Sequence, residues 1–428
     1  MRAALWFLTL FAVAVAVALF AGNNQGTITL FWPPYRVDFS LNLVLLVLAF
    51  LFLMLHVALR AMGALFAIPG HARLWRIQHQ ERAMHVALLD TLWHLMAGRF
   101  IRARKSAEIV LARESAMNRS GETLPYSGRL RALAHLLAAE SAQVLQDTSA
   151  RDDHFSQALE EASLQDAQGI REGLQMRAAR WALEEHDALA ALQWLDDLPQ
   201  GASRRTIALR LRLKAARMAR QTVLALETAR LLVKHRAFSE VAAQGILRGL
   251  ALELVQTAYD PDQMETVWNQ LDVTDRGMPE VAIAAASRML QLGGDVDKTR
   301  SWLLPIWDRM VAQPDVLTDA QRISLIRVLE SGFALATGAP ESEWLTRIEK
   351  AQMGNPGDST LQYLAGITCM RLQLWGKAQQ LLKQSLPRLH DAGLERSAWA
   401  ALAELAERKG DTAASTQAWQ NAAKSTPS

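Results

Sequence analysis

The chain has 428 residues, half of them hydrophobic and 21% charged, so it is too long for one compact core and too apolar for disorder over most of its length. A single cysteine, Cys369, excludes an internal disulfide framework and any cysteine-based zinc knuckle. The net charge of +3 conceals an asymmetry: up to Lys105 there are ten Lys/Arg against three Asp/Glu, and beyond it 36 against 40.

The first 60 residues read as a membrane anchor. No charged residue lies between Arg2 and Arg36, and none between Asp38 and Arg60. Two apolar helices are therefore expected at about 3–21 and 40–59, joined by an outer loop, 22–39; each run approaches the roughly 20 residues needed to cross a bilayer. A cleaved signal peptide is the rival reading of the first run. Its apolar stretch exceeds the usual length, however, and Leu19-Phe20-Ala21 is a poor cleavage site. In the loop, Ile28, Leu30 and Trp32 alternate with Thr27, Thr29 and Phe31, and Pro33-Pro34 precedes a second alternating run, the pattern of a short β-hairpin. Basic residues crowd the far side of the second run, so the positive-inside rule puts the loop outside and the body and both termini in the cytoplasm. Of these basic residues, Arg60, Arg73, Arg76 and Arg82 are expected to meet anionic headgroups, with Leu74, Trp75 and Ile77 suited to an interfacial helix.

From Ala72 onward apolar residues recur with helical spacing and prolines are sparse, which predicts an all-α body. Its internal repeat is degenerate but present. Trp399, Leu402, Ala403 and Ala406, then Gly410, Ser415, Trp419 and Pro427, follow the tetratricopeptide order. Gly366, Cys369, Ala378 and Leu382, with Trp375, keep the same spacing one unit earlier. Weaker copies surround Gly98-Arg99-Phe100 with Ala103 and Ala107, Glu185-His186-Asp187 with Ala190, Leu209 to Ala229, and Gly294-Asp295 with Leu303. Small residues let the two helices of a pair approach, and stacked pairs bury a shared core; about 34 residues per unit gives about eight to ten pairs. The expected division is an anchor over 1–60, a degenerate solenoid over 61–337 and terminal repeats over 338–428. Asn118–Tyr126, Tyr259–Pro279 and Gly338–Asp358 are the stretches expected to break the rhythm.

Chemistry is scarce. No dinucleotide fingerprint, P-loop, zincin or nucleophile-elbow motif occurs, and the adjacent acids Glu160-Glu161, Glu184-Glu185 and Asp196-Asp197 point about 100° apart on a helix, so no enzyme is expected. Cys369 falls at a packing position of the repeat. His79, His85 and His94 are weak candidates for holding haem or a porphyrin. Their spacings of six and nine residues turn them to different sides of one helix, and no metal site is expected. The basic stretch from Arg60 to Lys105 suits lipid rather than nucleic acid, given the adjacent span.

The two spans, the stretch His71-Ala72-Arg73-Leu74-Trp75-Arg76, the stretch Ala97-Gly98-Arg99-Phe100-Ile101-Arg102-Ala103 and the degenerate repeats together resemble the bacterial HemY family over essentially the full length. The resemblance implies a multi-pass inner-membrane protein associated with a late step of protoheme biosynthesis. It implies no catalytic residues and no established cofactor. The resulting expectation is a tethered α-solenoid scaffold whose concave face holds a protein partner, a late haem-pathway enzyme. A general envelope-assembly scaffold and a haem or porphyrin binder in its own right are the alternatives.

Overall fold

The computed structural model describes residues 2–23, 25–122, 124–162, 168–335 and 341–425. Packing divides the chain into two units, 1–170 and 171–428.

The first unit begins with α1 (Arg2–Asn23), followed by strands β1 (Thr27–Trp32) and β2 (Tyr35–Ser40). The strands pair antiparallel, with Ile28 opposite Phe39, Leu30 opposite Val37 and Trp32 opposite Tyr35, so the alternation in the loop forms the expected hairpin. Ser40 then caps α2 (Leu41–Met96), its hydroxyl accepting from the Leu43 amide at 3.2 Å. This helix is 56 residues long, about 84 Å at the usual rise. Its stretch Leu41–Gly63 is long and apolar enough to cross a membrane, with a mean hydropathy of 2.6. Among the described residues it is the only such helix. The first expected span falls within α1, where the described apolar stretch is the shorter Leu8–Leu19, so the anchor shows one qualifying span and not a clear two-helix hairpin.

The helix runs well past the expected end of the second span at 59: it continues through Pro69 and Gly70, and Trp75 to Ile77 belong to the same continuous rod. An interior proline removes one backbone hydrogen bond, a cost that the helix formers on either side outweigh here. Helices α3 (Phe100–Arg119), α4 (Ser127–Val144) and α5 (Thr148–Glu161) complete the unit, with α3 packed on α2 and α4 on α3. Their core joins Met84 and Ala87 to Val110, Met117, Leu130 and Ala134.

Helix α6 (Gln168–Glu184) runs across the division. The second unit continues with α7 (Ala188–Asp196), the single turn α8 (Gln200–Ser203), α9 (Thr206–Met218), α10 (Thr222–Lys234), α11 (Glu240–Gln256), α12 (Pro261–Gln270) and the short α13 (Val273–Arg276). It ends with α14 (Pro279–Gln291), α15 (Val296–Ala312), α16 (Asp319–Leu335), α17 (Glu341–Gly354), α18 (Ser359–Arg371), α19 (Trp375–Ser385), α20 (Ala392–Arg408) and α21 (Thr412–Lys424). Successive helices pair, and the first helices of neighbouring pairs, α11, α14, α16, α18 and α20, pack on one another in turn. One hydrophobic cluster runs unbroken from Leu209 to Ala418. This is the shared core that a stack of helix pairs requires. Two of the three stretches expected to break the rhythm are helical: Tyr259–Pro279 contains α12, which Asp260 caps and Pro261 opens, and Gly338–Asp358 contains α17. A proline in the first turn starts a helix instead of stopping it.

The pairs share one turn. At Asp147, Asp187, Gln221, Leu374 and Asp411 the backbone N–H donates to the carbonyl five residues earlier at 2.8–3.0 Å. In each case the preceding residue has positive φ: Gln146, His186, Arg220, Gln373 and Gly410. Asp147, Asp187 and Asp411 then cap the second helix, accepting from the amides of Ala150, Ala190 and Ala414. Pro427, the closing position of the terminal repeat, lies outside the described residues.

Candidate interaction surface

The residues singled out near the anchor all lie on α2. Arg60 is exposed near the carboxyl-terminal end of the apolar stretch, and Arg76 and Arg82 are exposed about 24 and 33 Å further along the helix axis. The side chain of Arg73 lies outside the described residues. His79 stacks on Trp75 with ring centroids 5.3 Å apart, and His85 stacks on Tyr126 at 5.8 Å. The Tyr126 hydroxyl donates to Glu81, and burial together with that carboxylate pushes the phenol up to about 12. His94 turns inward, its Nδ1 buried without a hydrogen-bond partner. The three imidazoles thus have three separate surroundings and share no pocket. Among the described residues no group of three or more His, Cys, Asp or Glu is placed to hold a metal ion.

A histidine pair not singled out in the sequence lies between α4 and α5. His135 and His154 approach Nδ1 to Nδ1 at 3.1 Å, which requires opposite tautomers, one donating and the other accepting. Burial, reinforced by its neighbour, lowers His135 to about 4, and burial lowers His154 as well, so both rings are neutral near pH 7. Beside them Arg131 bridges Glu114 at 3.0 Å and Glu161 at 2.7 Å, and Arg104 pairs with Asp147 at 2.8 Å. The two histidines lie 19 residues apart on either side of the Gln146–Asp147 turn. Only that turn makes them neighbours, and its positive-φ residue carries no glycine to reveal it.

Between α1 and the apolar part of α2 is a cleft of about 1150 Å³, lined by aliphatic and aromatic residues such as Val13, Val17, Leu45 and Phe52, with Asn42 as its polar member. Its surface matches hydrocarbon chains.

In the second unit, α9 is strongly basic. Between Asp197 and Glu227 the chain carries six Arg and one Lys and no acid. Arg205 and Arg212 are paired, with Glu172 and Asp196. Arg210, Lys214 and Arg217 lie at i, i+4 and i+7, exposed along one stripe of α9. They border a cleft of about 510 Å³ whose apolar floor is Leu213, Met218 and Phe238, with Glu253 of α11 on the rim. Arg210 donates to the Ala237 carbonyl at 3.2 Å, and Lys214 and Arg217 form no ion pair with any described residue.

A second cleft, of about 630 Å³, opens over α16, α18 and α20, the first helices of three successive pairs. Arg327, Glu330, Arg371, Arg396, Ser397 and Glu404 line it. Beneath them the buried Tyr363 hydroxyl donates to Glu330 at 2.6 Å. Burial raises the Glu330 carboxyl, and burial with the Glu330 charge holds the Tyr363 phenol far above its ordinary range. Arg327 is tied to Asp391 at 2.5 Å. Both clefts offer guanidinium donors on rigid helices, joined at α9 by the Lys214 ammonium, which suits recognition of carboxylates. Cys369 is fully buried below, and burial raises its thiol, so it supplies packing and not a nucleophile.

Residues 26–146 match the family model described as HemY protein N-terminus. No curated protein matches the chain. Among solved structures, the APC/C hetero-tetramer Cut9-Hcn1 is similar at 14% identity and a TM-score of 0.26, covering 80% of this chain and 66% of that one. The Naa15/Naa10 complex bound to HypK-THB gives 13% and 0.25, covering 77% and 57%. The P58(IPK) TPR domain gives 12% and 0.22, covering 77% and 99%. The chain thus spans just under two-thirds of the first of these structures and just over half of the second. These likenesses carry no inference about function.

Proposed function

Since residues 26–146 belong to the HemY family's amino-terminal region, we propose that the protein is a membrane-tethered helical-repeat scaffold associated with a late step of haem biosynthesis, binding a protein partner and catalysing nothing itself. In this reading α1 and Leu41–Gly63 of α2 both cross the inner membrane, the hairpin faces outward, and both termini and the repeats lie in the cytoplasm. Arg60 then sits at the headgroups. On an upright helix Arg76 and Arg82 stand beyond the roughly 8 Å over which salt leaves surface charge unscreened.

The observation that carries the reading is the direct fusion of tether and array. α2 carries the apolar stretch at one end, and α3 packs on its other end, so the first repeat is built on the anchor helix. Proteins held beside one patch of membrane meet far more often than in bulk, with no new contact energy. For a poorly soluble tetrapyrrole such proximity also avoids release into water. The basic stripe of α9 and the cleft over α16, α18 and α20 are the surfaces proposed to hold the partner.

Cross-linking mass spectrometry on intact membranes tests this directly, with a late haem-pathway enzyme expected among the cross-linked neighbours. Recovery of unrelated envelope proteins, with tetrapyrrole levels unchanged on deletion, would replace the haem association with a general assembly role. Tetrapyrrole binding by the chain itself is read separately, from Soret absorbance on reconstitution and its response to changing His79, His85 or His94 to Ala.

A further inference from the structure

Helix α2 has two apolar faces beyond the membrane stretch, and only one of them is used. Met84, Ala87 and Thr91 are 1%, 8% and 0% exposed, closed off by α3 and α4. On the opposite side Val86, Leu89, Trp93 and Met96 are 56%, 63%, 68% and 86% exposed. At 100° per residue these four fall within an arc of about 80°, and their spacing of three, four and three residues is that of a coiled-coil seam. A helix that is apolar all round is ordinarily buried all round. Four large apolar side chains in a row on a polar rod form a contiguous patch of the kind that marks an interaction site.

We propose that two copies of the chain associate through this second face of α2, their helices running parallel. The geometry favours a second copy over an unrelated partner because the same helix carries Leu41–Gly63. If α2 spans the bilayer, two copies enter the membrane in one direction and at one depth. Each seam residue then meets its own counterpart, the self-complementary contact that a two-fold axis demands. The seam position before Val86 is Arg82 and the one before that is His79, both exposed. Two facing arginines repel, so close contact is confined to the three turns from Val86 to Met96, and the polar positions fix the register at some cost in stability. The inference uses the membrane-spanning part of the reading above and is independent of the client's identity.

The test uses the full chain in phosphatidylethanolamine–phosphatidylglycerol nanodiscs, with single cysteines introduced by Val86→Cys, Leu89→Cys, Trp93→Cys or Met96→Cys. Ala112→Cys, exposed on α3, is the control. Cys369 stays in place because it is fully buried. Mild oxidation is expected to give a disulfide-linked species of twice the chain mass at the seam positions and not at position 112, since a disulfide forms only when the two Cα atoms come within about 7 Å. The double change Leu89→Glu with Trp93→Glu is expected to lower the dimer fraction in native mass spectra at least tenfold while leaving the helix content unchanged. Three results would overturn the proposal: a monomer in every preparation, equal cross-linking at position 112, or quenching by brominated lipid of a bimane label attached at Trp93→Cys, which would assign the stripe to the bilayer surface. Protease and maleimide accessibility of the α2 ends reads the spanning topology by itself, so a failure of the seam and a failure of the anchor give different results.

Discussion

Gly366 is where the repeat's packing rule can be tested most sharply. A Cβ built there would stand 2.8 Å from Leu382 Cγ, 2.9 Å from Leu382 Cδ2 and 3.3 Å from the Leu382 backbone nitrogen. Ordinary carbon contacts are about 3.5–4.0 Å, and the nearby backbone atom means that rotating Leu382 away is not enough; α19 itself must move. Overpacking a close-packed interior costs about 1–3 kcal/mol, whereas alanine in a helix interior is favoured over glycine by about 1 kcal/mol. For Gly366→Ala the steric cost outweighs the propensity gain, leaving a net destabilisation of up to about 2 kcal/mol. Gly249 in α11 has no atom within 4 Å of its built Cβ, so Gly249→Ala keeps only the gain and is stabilised by about 0.5–1 kcal/mol. The opposite signs are the prediction. Stacked repeats open locally, so the assay is hydrogen exchange on α18 and α19 for the first variant and on α11 for the second, alongside urea midpoints. Equal gains in protection for both variants would show that α18 and α19 are not packed as described.

The positive-φ turns predict a stabilising change: His186→Gly relieves a left-handed conformation unfavourable to a side-chain-bearing residue and raises stability by about 0.5–1 kcal/mol, read as slower exchange at the α6–α7 turn. Asp187→Ala does the reverse, removing the cap on Ala190 and costing about 1 kcal/mol in the same assay. For the buried histidine pair, an unfolded imidazole titrates near 6.5 and folded His135 near about 4, so between these values the unfolded chain holds more protons. Exchange protection of α4 and α5 is therefore level above about pH 7 and falls as pH drops from about 6.5 to 4, by at most about 3 kcal/mol; a flat profile would refute the buried neutral pair. Arg322 pairs with Asp358, whose side chain is 6% exposed. Arg322→Leu removes that ion pair while the carboxylate keeps the Thr360 and Leu361 amides and the Thr360 hydroxyl as donors, so the expected cost in the urea midpoint is about 1.5–3 kcal/mol, with Arg322→Lys recovering part of it.

The all-α repeat could be read from the sequence wherever it spends a glycine or a tryptophan. Gly98 and Gly410 mark turns that the backbone adopts at φ of 70° and 75°. The same turn is made by Gln146, His186, Arg220 and Gln373 in the pairs between, and these residues carry no turn signature. Tertiary packing supplies what local propensity withholds, so the middle copies look weaker than they are. Pro69 shows the opposite case, since a proline inside strong helix formers does not mark a boundary. The candidate surfaces were less legible. The acid-free stretch between Asp197 and Glu227 is plain in the sequence, but which of its cations stay unpaired depends on Glu172 and Asp196, which fold back onto Arg205 and Arg212. The meeting of His135 and His154 depends likewise on a turn that the sequence hides.

The uninterrupted run of α2 bears on how the proposed scaffold would work. A flexible linker sets only how often its two ends meet, and its effective concentration falls as it lengthens. A helix transmits direction as well. α3 packs against the same helix that carries Leu41–Gly63, so the rotation of the span about its own axis fixes which way the first repeat faces. In the proposed reading, partners anchored in the same bilayer are then presented with a set height and a set azimuth, and the orientational part of the association cost is met before contact. The exposed side of α2 acquires a second meaning in this light. A rod whose rotation matters gains from anything that pins the rotation, and a seam closing on its own copy does so through the stripe from Val86 to Met96 that the first repeat leaves uncovered.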